Sequence, residues 1–462
     1  MEINADIENR KTLAAMLGID EEEAETLLDM SILITFNSED LVANLFAKEL
    51  GVLLQRTAAA VFYEQNLSQR PAVEIIIGKA KPQTVATPIY VEISKDKISV
   101  SKKPQGQQLC QIRHPVFLLI GACFVAAKCF GTYFSDRFPY KVDEPLAVDF
   151  EQLFGDDYDA FNKPIDFGTT YLAGAGAVGN GFIYGLRYFD VKGAMHVVDP
   201  KIVKEGNLNR CMFFTKMDVG KPKAEQICNN ANPYFRNLRL IPRNSTIHDL
   251  EEHDMGPWLK RLIVTVDSRR ARRSLQEEFP GEVYDSSTTG IQEVVLHFNE
   301  QPIGKNACLS CIYSQESDEL AHEKHVAEVL GVGVDDIKAG FVNDLAARMI
   351  ANKYKNLNPE AIVNMAYDSL FKQLCGQGML KTTADKQVLA PFAFVSVLAG
   401  TFLAVETVRR IRKSNIIQPY NFWRISPYNS PVLRLQRTRE KRVDCEFCSN
   451  PIMISVSEKL WK

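Results

Sequence analysis

The residues best suited to chemistry begin with a glycine-rich segment at Gly174–Gly179, of sequence GAGAVG. The segment follows a predicted strand and precedes a predicted helix, an order that lets backbone N–H groups approach a phosphate closely. Asp199 ends the next predicted strand, where a carboxylate can hold a ribose hydroxyl. Up to this point the pattern is equally typical of an NAD-dependent dehydrogenase.

The charged residues that follow Asp199 distinguish a dehydrogenase from an adenylating enzyme. Asn207 and Arg210 come soon after it, then Lys223, and Asp267 ends a further predicted strand. A dehydrogenase has no need of an Arg and a Lys beside its pyrophosphate. An adenylating enzyme does, because fixed cations stabilise the charge that develops on the α-phosphate and on the leaving pyrophosphate. Asp267, at the carboxyl end of a strand, can hold Mg²⁺ against the phosphates.

This order of residues resembles the ThiF/MoeB superfamily, to which the ubiquitin-activating enzymes belong. The resemblance covers roughly residues 165 to 450, and the matching positions are Gly174, Gly176, Gly179, Asp199, Asn207, Arg210, Lys223 and Asp267. Two positions depart from the family pattern, since Cys211 replaces a Gln and Ser268 replaces an Asn. Neither change removes a charge, so we expect ATP chemistry to be retained.

The resemblance implies a role for each matched residue. Asp199 would bind the ribose of ATP. Asn207, Arg210 and Lys223 would contact the phosphates, and the two cations would also act in catalysis. Asp267 would position Mg²⁺ or the reacting groups and would likewise be catalytic.

Cys375 is the expected acceptor of an activated acyl group. In the family, a cysteine in the crossover loop ahead of a buried helix takes the acyl group as a thioester. Cys375 is followed by Gly376 and Gly378 and lies ahead of the apolar stretch from Ala390 to Arg412. A thiolate is a strong nucleophile towards an acyl-adenylate, and a loop containing glycines can move towards the site. An ordinary free cysteine is the alternative.

Two Cys-x-x-Cys pairs, Cys308/Cys311 and Cys445/Cys448, fit the same family. Zn²⁺ is held by four tetrahedral ligands, and two such pairs supply them. We therefore expect a structural zinc site that clips the tail of the chain onto the core. Redox activity is the alternative for these thiols.

The elements that must position these residues alternate between strands and helices after residue 165, which predicts a doubly wound, Rossmann-like α/β domain over residues 165–450. Residues 1–150 form a smaller α/β unit that lacks the glycine loop, and by resemblance it is an inactive adenylation-like domain. A mobile crossover loop is expected at about residues 315–386, and a strand-rich tail follows the last apolar helix.

Composition limits the other functions. The net charge of -3 over 462 residues gives no basic field for nucleic acid or for a membrane surface. The apolar stretch from Val116 to Ala127 is too short to span a membrane, and a buried helix is expected there. The N-terminus does not resemble a signal peptide, so we expect a cytoplasmic protein.

The expected function is ATP-dependent activation of a ubiquitin-like protein, followed by transfer to a conjugating enzyme. The narrower resemblance is to the activating enzymes of bacterial ubiquitin-like conjugation operons linked to phage defence. The alternatives are an adenylyltransferase for a sulfur-carrier protein, which forms a thiocarboxylate, and a non-catalytic scaffold for a ubiquitin-like protein. The partner, the target and the oligomeric state, including a homodimer, stay open at this point.

Overall fold

The computed structural model describes residues 6–461 with gaps. The gaps are residues 59, 64–69, 105–108, 156–160, 253–255, 301–302, 304, 315–316, 356, 377–389, 413–418 and 433–434. The side chains of residues 6, 317–322, 369, 372–373 and 375–376 also lie outside the described set.

The first sheet is formed within residues 31–149. Its strands are β1 (Ser31–Thr35), β2 (Ala60–Phe62), β3 (Val73–Ile77), β4 (Thr87–Ser94), β5 (Lys97–Ser101) and β6 (Leu146–Asp149). They lie in the order β2-β1-β3-β4-β5-β6. The strands β1 to β4 pair in parallel, whereas β5 pairs antiparallel with both β4 and β6. Every position of β3 is buried, which explains its almost unbroken apolar sequence.

Helices cover the first sheet. They are α1 (Asp6–Leu17), α2 (Glu21–Leu28), α3 (Leu41–Leu54), α4 (Val116–Phe134) and α5 (Phe150–Phe154). Within the described residues, the segment Val116–Arg137 is long and apolar enough to cross a membrane, but 83% of its most apolar window is buried inside the protein. The α4 helix therefore occupies the core position that its sequence predicts.

The second sheet carries the glycine loop. Its strands are β7 (Ile165–Ala173), β8 (Val191–Val198), β9 (Asn237–Arg243), β10 (Arg261–Val264), β11 (Glu282–Thr289), β12 (Glu293–Asn299), β13 (Phe422–Ile425) and β14 (Gln436–Arg437). They lie in the order β14-β13-β12-β11-β10-β7-β8-β9. The strands β7 to β11 are parallel, and the pairs from β11 to β14 are antiparallel. Strand order reverses between β7 and β10, the switch point at which doubly wound sheets bind ligands. The predicted Rossmann-like fold is confirmed.

The segment expected as a crossover loop contains helices. After α6 (Ala177–Leu186), α7 (Lys223–Ala231), α8 (Arg269–Ser274) and α9 (Leu309–Ile312), the chain forms α10 (Ser317–Leu330), α11 (Val334–Lys338), α12 (Asp344–Lys353) and α13 (Tyr367–Gly376). The helices α10 to α13 bury a separate apolar cluster that includes Val326, Ile350 and Leu374.

The crossover helices are attached to the second sheet by buried polar contacts. Ser268 donates a hydrogen bond to Asp368 at 2.7 Å. The buried Arg270 pairs with Asp368 at 3.0 Å and with Glu323 at 3.1 Å. The start of α13 is therefore held next to the residue that follows Asp267.

The long helix α14 (Ala393–Ile411) joins the two sheets. It contacts α4 of the first sheet, α6 of the second, and the strands β7, β11 and β12. Its approach to α6 is close enough that a Cβ atom on Gly400 would lie 2.2 Å from the backbone nitrogen of Phe182. One continuous apolar core therefore contains residues of both sheets. The last helix of the described residues is α15 (Pro451–Trp461).

Candidate functional site

The glycine loop joins β7 to α6 in a tight turn. Gly174 adopts a φ of +100°, a conformation that glycine tolerates without strain. A Cβ atom on Gly179 would lie 2.2 Å from the carbonyl oxygen of Gly174, so the turn closes only around a hydrogen at that position. A Cβ atom on Gly176 would meet nothing within 4 Å, and Gly176 directly precedes the first turn of α6. The N–H groups at the start of α6 are therefore accessible to an anion.

Asp199 supports this loop from the end of β8. Its side chain is buried, and its Oδ2 accepts a hydrogen bond from the backbone N–H of Ala175 at 2.8 Å. Its Oδ1 accepts another from the N–H of Lys201 at 2.8 Å. Asp199 thus fixes the glycine loop as well as standing where the resemblance expects a ribose ligand. The ribose role stays a prediction.

Asn207 and Arg210 lie in the turn that follows β8. The Oδ1 atom of Asn207 accepts a hydrogen bond from the N–H of Lys204 at 3.0 Å. The guanidinium of Arg210 is half-buried and donates to the carbonyl of Gly206 and to Oδ1 of Asn209, each at 2.6 Å. These bonds orient the cation before any ligand arrives.

Three lysines converge on the same region. Lys223 is the first residue of α7 and is buried, and its N–H donates to the carbonyl of Lys201 at 2.9 Å. Burial opposes the charge of Lys201, but the carboxylates of Asp267 and Asp199 raise its pKa above the ordinary value. Burial, together with Lys223 and Lys201, lowers the pKa of Lys204. Of these lysines, the sequence pattern predicts a role only for Lys223 and not for Lys201 or Lys204. Their position directly after a strand that ends in Asp199 could have revealed them.

Asp267 follows β10 and meets Lys201 at the site. Its Oδ2 atom lies 3.5 Å from Nζ of Lys201, and its side chain is largely exposed. The backbone of the Asp267 loop is held by Arg272, whose guanidinium donates to the carbonyl of Val266 and pairs with the buried Asp285. The carboxylate is therefore held at the switch point, paired with Lys201, on a loop whose backbone is fixed by Arg272.

Cys375 lies in the last turn of α13 and not in a loop. Its side chain is outside the described set, and so are residues 377–389 that follow. Asp368, in the first turn of the same helix, bonds to Ser268. Seven residues of helix correspond to about 10 Å, so the backbone of Cys375 lies about that far along α13 from this contact. The thioester role of Cys375 stays a prediction.

The four cysteines of the two pairs come together between α9 and α15. Their Sγ atoms all lie within 4.8 Å of one another. The separations of adjacent sulfurs are 3.9 Å for Cys308–Cys311, 3.7 Å for Cys308–Cys445, 3.3 Å for Cys311–Cys448 and 3.5 Å for Cys445–Cys448. A tetrahedral zinc with Zn–S bonds of about 2.3 Å has sulfurs about 3.8 Å apart. The four sulfurs therefore fit such an ion.

Mutual hydrogen bonds divide the four thiols into two classes: the pKa values of Cys311 and Cys445 are lowered, and those of Cys308 and Cys448 are raised. A hydrogen bond from Cys308 lowers the pKa of Cys311 to about 7. The N–H of Arg442 also donates to the sulfur of Cys311 at 3.3 Å. Ile303, Phe279, Phe447 and Met453 enclose the cluster with apolar side chains. This is the arrangement of a closed structural metal site.

A Rossmann-like sheet with a glycine loop, fixed cations and a carboxylate at its switch point defines a nucleotide-binding domain of the adenylation type. Comparison with known families agrees with this class. The sequence model of the ThiF family matches residues 158–447, and that of the E1 N-terminal domain matches residues 2–155. The chain therefore belongs to the ThiF family, within the superfamily of ubiquitin-activating-like enzymes.

Individual relatives are distant. The uncharacterized protein y4jF of Sinorhizobium fredii is 26% identical over 318 residues, which are 62% of this chain and 58% of the relative. The Nedd8-activating enzyme E1 catalytic subunit of Drosophila melanogaster is 28% identical over 122 residues, 26% of this chain and 27% of the relative. The chain thus spans under two thirds of either relative.

Similar solved structures include E. coli MccB. The structure of MccB with ATP covers 78% of this chain and 97% of MccB, with 13% identity and a TM-score of 0.38. The structure of MccB with MccA covers 78% of this chain and 98% of MccB, with 13% identity and a TM-score of 0.39.

Proposed function

We propose that this protein activates a ubiquitin-like protein in two steps. First, the C-terminal carboxylate of the ubiquitin-like protein attacks the α-phosphorus of ATP, pyrophosphate leaves and an acyl-adenylate forms. Second, the thiolate of Cys375 attacks the acyl carbon, AMP leaves and a thioester forms. The thioester is then passed to a cysteine of a conjugating enzyme.

The observation that carries this proposal is the set of cations around one glycine loop. Arg210 is oriented by two hydrogen bonds, Lys223 is buried at the start of α7, and the pKa of Lys201 is raised. Preorganised cations stabilise the charge that develops on the phosphates without reorganising during the reaction. No general base is required, because the attacking carboxylate is already nucleophilic.

Two metals belong to the proposal. Asp267 would hold Mg²⁺, which would neutralise phosphate charge when bound. The four cysteines would hold a structural Zn²⁺, since four thiolates leave no open coordination position for catalysis.

We interpret residues 1–150 as an inactive adenylation-like domain. Parallel strands and the long apolar helix α4 support this interpretation, and β1 is followed by Phe36-Asn37-Ser38-Glu39-Asp40 in place of a glycine loop.

We further propose that the protein is related to the activating enzymes of bacterial ubiquitin-like conjugation operons linked to phage defence. We also propose a cytoplasmic location, where thiols stay reduced. Mass measurement in solution tests whether the protein is a homodimer.

Exchange of labelled pyrophosphate into ATP tests the first step, with the full chain, Mg²⁺ and candidate ubiquitin-like proteins. A non-reducing gel tests the second. We expect exchange that depends on the partner and a thiol-sensitive adduct. Cys375→Ala should keep the exchange and lose the adduct, and Lys223→Met should lose both. Cys129→Ala, a buried cysteine in α4, is the matched control and should keep both.

The outcomes separate the alternatives. An adduct that survives Cys375→Ala would overturn the assignment of the thioester to Cys375. A thiocarboxylate product without an adduct would indicate a sulfur-carrier adenylyltransferase. Tight binding of a ubiquitin-like protein without any exchange would indicate a scaffold.

A further inference from the structure

The N-terminal domain reaches the candidate nucleotide site through a buried chain of hydrogen bonds. In α1, Asn9 is buried and donates from Nδ2 to the carbonyl of Arg56 at 2.7 Å. Its Oδ1 accepts from Nδ2 of Asn209 at 2.8 Å. The Oδ1 of Asn209 in turn accepts from the guanidinium of Arg210 at 2.6 Å. Four residues thus connect α1 and the turn that follows α3 to a cation of the site.

Arg56 makes a second connection to the same turn. Its guanidinium donates from Nη1 to the carbonyl of Leu208 and from Nη2 to the carbonyl of Met212 at 3.0 Å. These two carbonyls lie on either side of Arg210 in the chain. A planar guanidinium with several donors can hold two carbonyls in a fixed relation, which a single ammonium cannot do.

The chemistry of Arg56 indicates a purpose other than stability. Only 4% of the residue is exposed. In the described part of the chain, no carboxylate forms an ion pair with it, and its bonds go to backbone carbonyls of the turn. Burying a charge without a counter-charge is unfavourable, so this arrangement carries an energetic cost. A buried charge that has no counter-charge is expected where the residue positions a functional site.

We infer that Asn9 and Arg56 are positioning residues of the adenylation site, through which the N-terminal domain sets the geometry of the turn 207–212. The inference rests on the proposed function. The turn contains no long helix or strand to hold it, so contacts from the N-terminal domain to Asn209, Leu208 and Met212 add to the bonds that orient Arg210. An orientation fixed in advance contributes to catalysis, because a misplaced cation stabilises the developing charge poorly.

Steady-state pyrophosphate exchange tests the inference with the full chain and its ubiquitin-like partner. Removing a charged hydrogen-bonding group should lower kcat/KM for ATP by about tenfold or more. We expect a decrease of this size for Arg56→Met. Arg56→Lys should recover part of it, because an ammonium can bond to one of the two carbonyls. The matched control is Arg113→Met, since Arg113 pairs with Asp96 in the same domain and should leave the exchange unchanged.

A double-mutant cycle gives the readout that a merely structural role would not move. Asn9→Ala and Asn209→Ala should each reduce kcat/KM for ATP, and the double variant should lose little more than either single variant. Melting temperatures identify variants that fail to fold. If Arg56→Met is such a variant, the Asn9–Asn209 cycle still decides the matter.

Two results would overturn the inference. One is wild-type kinetics in folded Arg56→Met and Asn9→Ala variants. The other is additivity of the Asn9 and Asn209 effects. Failure of the proposed function gives a different result, because the wild-type protein itself would show no exchange. In that case equilibrium binding of ATP to the same variants tests whether Asn9 and Arg56 position the turn.

Discussion

The ammonium of Lys201 lies 3.5 Å from the carboxylate of Asp267, although the two residues follow β8 and β10, which flank β7 on opposite sides. Burial of Lys201 opposes its charge, but the two nearby carboxylates raise its pKa and keep it protonated. Lys201 therefore competes with any metal ion for Asp267.

Replacing Lys201 by Met should increase the apparent affinity of the site for Mg²⁺ and slow the reaction. Two charges about 4 Å apart in water interact by about 1 kcal/mol. The Mg²⁺ concentration that gives half-saturation should therefore fall by about fivefold. The value of kcat should also fall, because one cation beside the phosphates is lost. Mg²⁺ titration of pyrophosphate exchange measures both. Lys216→Met, an exposed lysine nearby, is the control. A higher Mg²⁺ concentration at half-saturation in Lys201→Met would contradict the competition between Lys201 and the metal ion.

Two glycines of the loop should respond differently to alanine. At Gly176 a Cβ atom meets nothing within 4 Å, so Gly176→Ala should change the free energy of unfolding by less than about 1 kcal/mol. The added methyl should nevertheless obstruct a phosphate at the start of α6 and weaken ATP binding by about tenfold or more. At Gly179 a Cβ atom would lie 2.2 Å from a carbonyl oxygen, so Gly179→Ala should destabilise the fold by about 3 kcal/mol.

Urea unfolding and ATP titration, carried out on both variants, check this contrast. Unchanged ATP affinity in Gly176→Ala would show that the phosphates do not approach that glycine. Unchanged stability in Gly179→Ala would mean that the turn opens more easily than its contacts indicate.

The four-cysteine site should contain one zinc per chain and hold the tail in place. Replacing Cys445 by Ser should abolish bound zinc, and the free energy of unfolding should fall by more than about 3 kcal/mol. Metal analysis and thermal unfolding provide the measurements. Cys129→Ser changes a buried cysteine outside the cluster and should retain the zinc. Full zinc content in Cys445→Ser would exclude a four-thiolate site.

Acid should destabilise the protein through His114. Burial lowers the pKa of His114 from 6.5 to about 4, and its Nδ1 accepts a hydrogen bond from the N–H of Val116 at 3.3 Å. The neutral ring is therefore favoured in the folded state. Its contribution to stability is fully present above pH 6.5 and is lost as the pH falls towards 4.

Between pH 7 and pH 5 this loss should amount to about 2 kcal/mol. His114→Asn keeps a hydrogen-bond acceptor and does not titrate. Between pH 7 and pH 5, the free energy of unfolding of this variant should therefore fall by about 2 kcal/mol less than that of the wild-type protein. Urea unfolding at the two pH values tests the difference. Parallel pH dependence in both proteins would contradict the assignment to His114.

Local sequence was sufficient to predict the Rossmann-like fold, because the strand, glycine loop and helix lie within a short stretch of chain. The convergence of the two cysteine pairs followed from ligand chemistry. The contact of Asn9 with Asn209 had no such signal, since 200 residues separate them. The pairing of Lys201 with Asp267 depends on strand order, which no local pattern contains. Cys375 was expected in a loop because glycines follow it, yet helical packing around Leu374 extends α13 through that position.

The helix α14 has a consequence for the order in which the protein is made. Phe392 and Phe394, at its start, pack on Phe130 of α4 with ring centroids 5.1 and 5.5 Å apart. A ribosome releases the N-terminal segment first, so the apolar face of α4 emerges long before its covering helix has been synthesised. Although residues 2–155 match a family model of their own, we expect them to need chaperone protection during translation and to reach their native packing only after α14 has emerged.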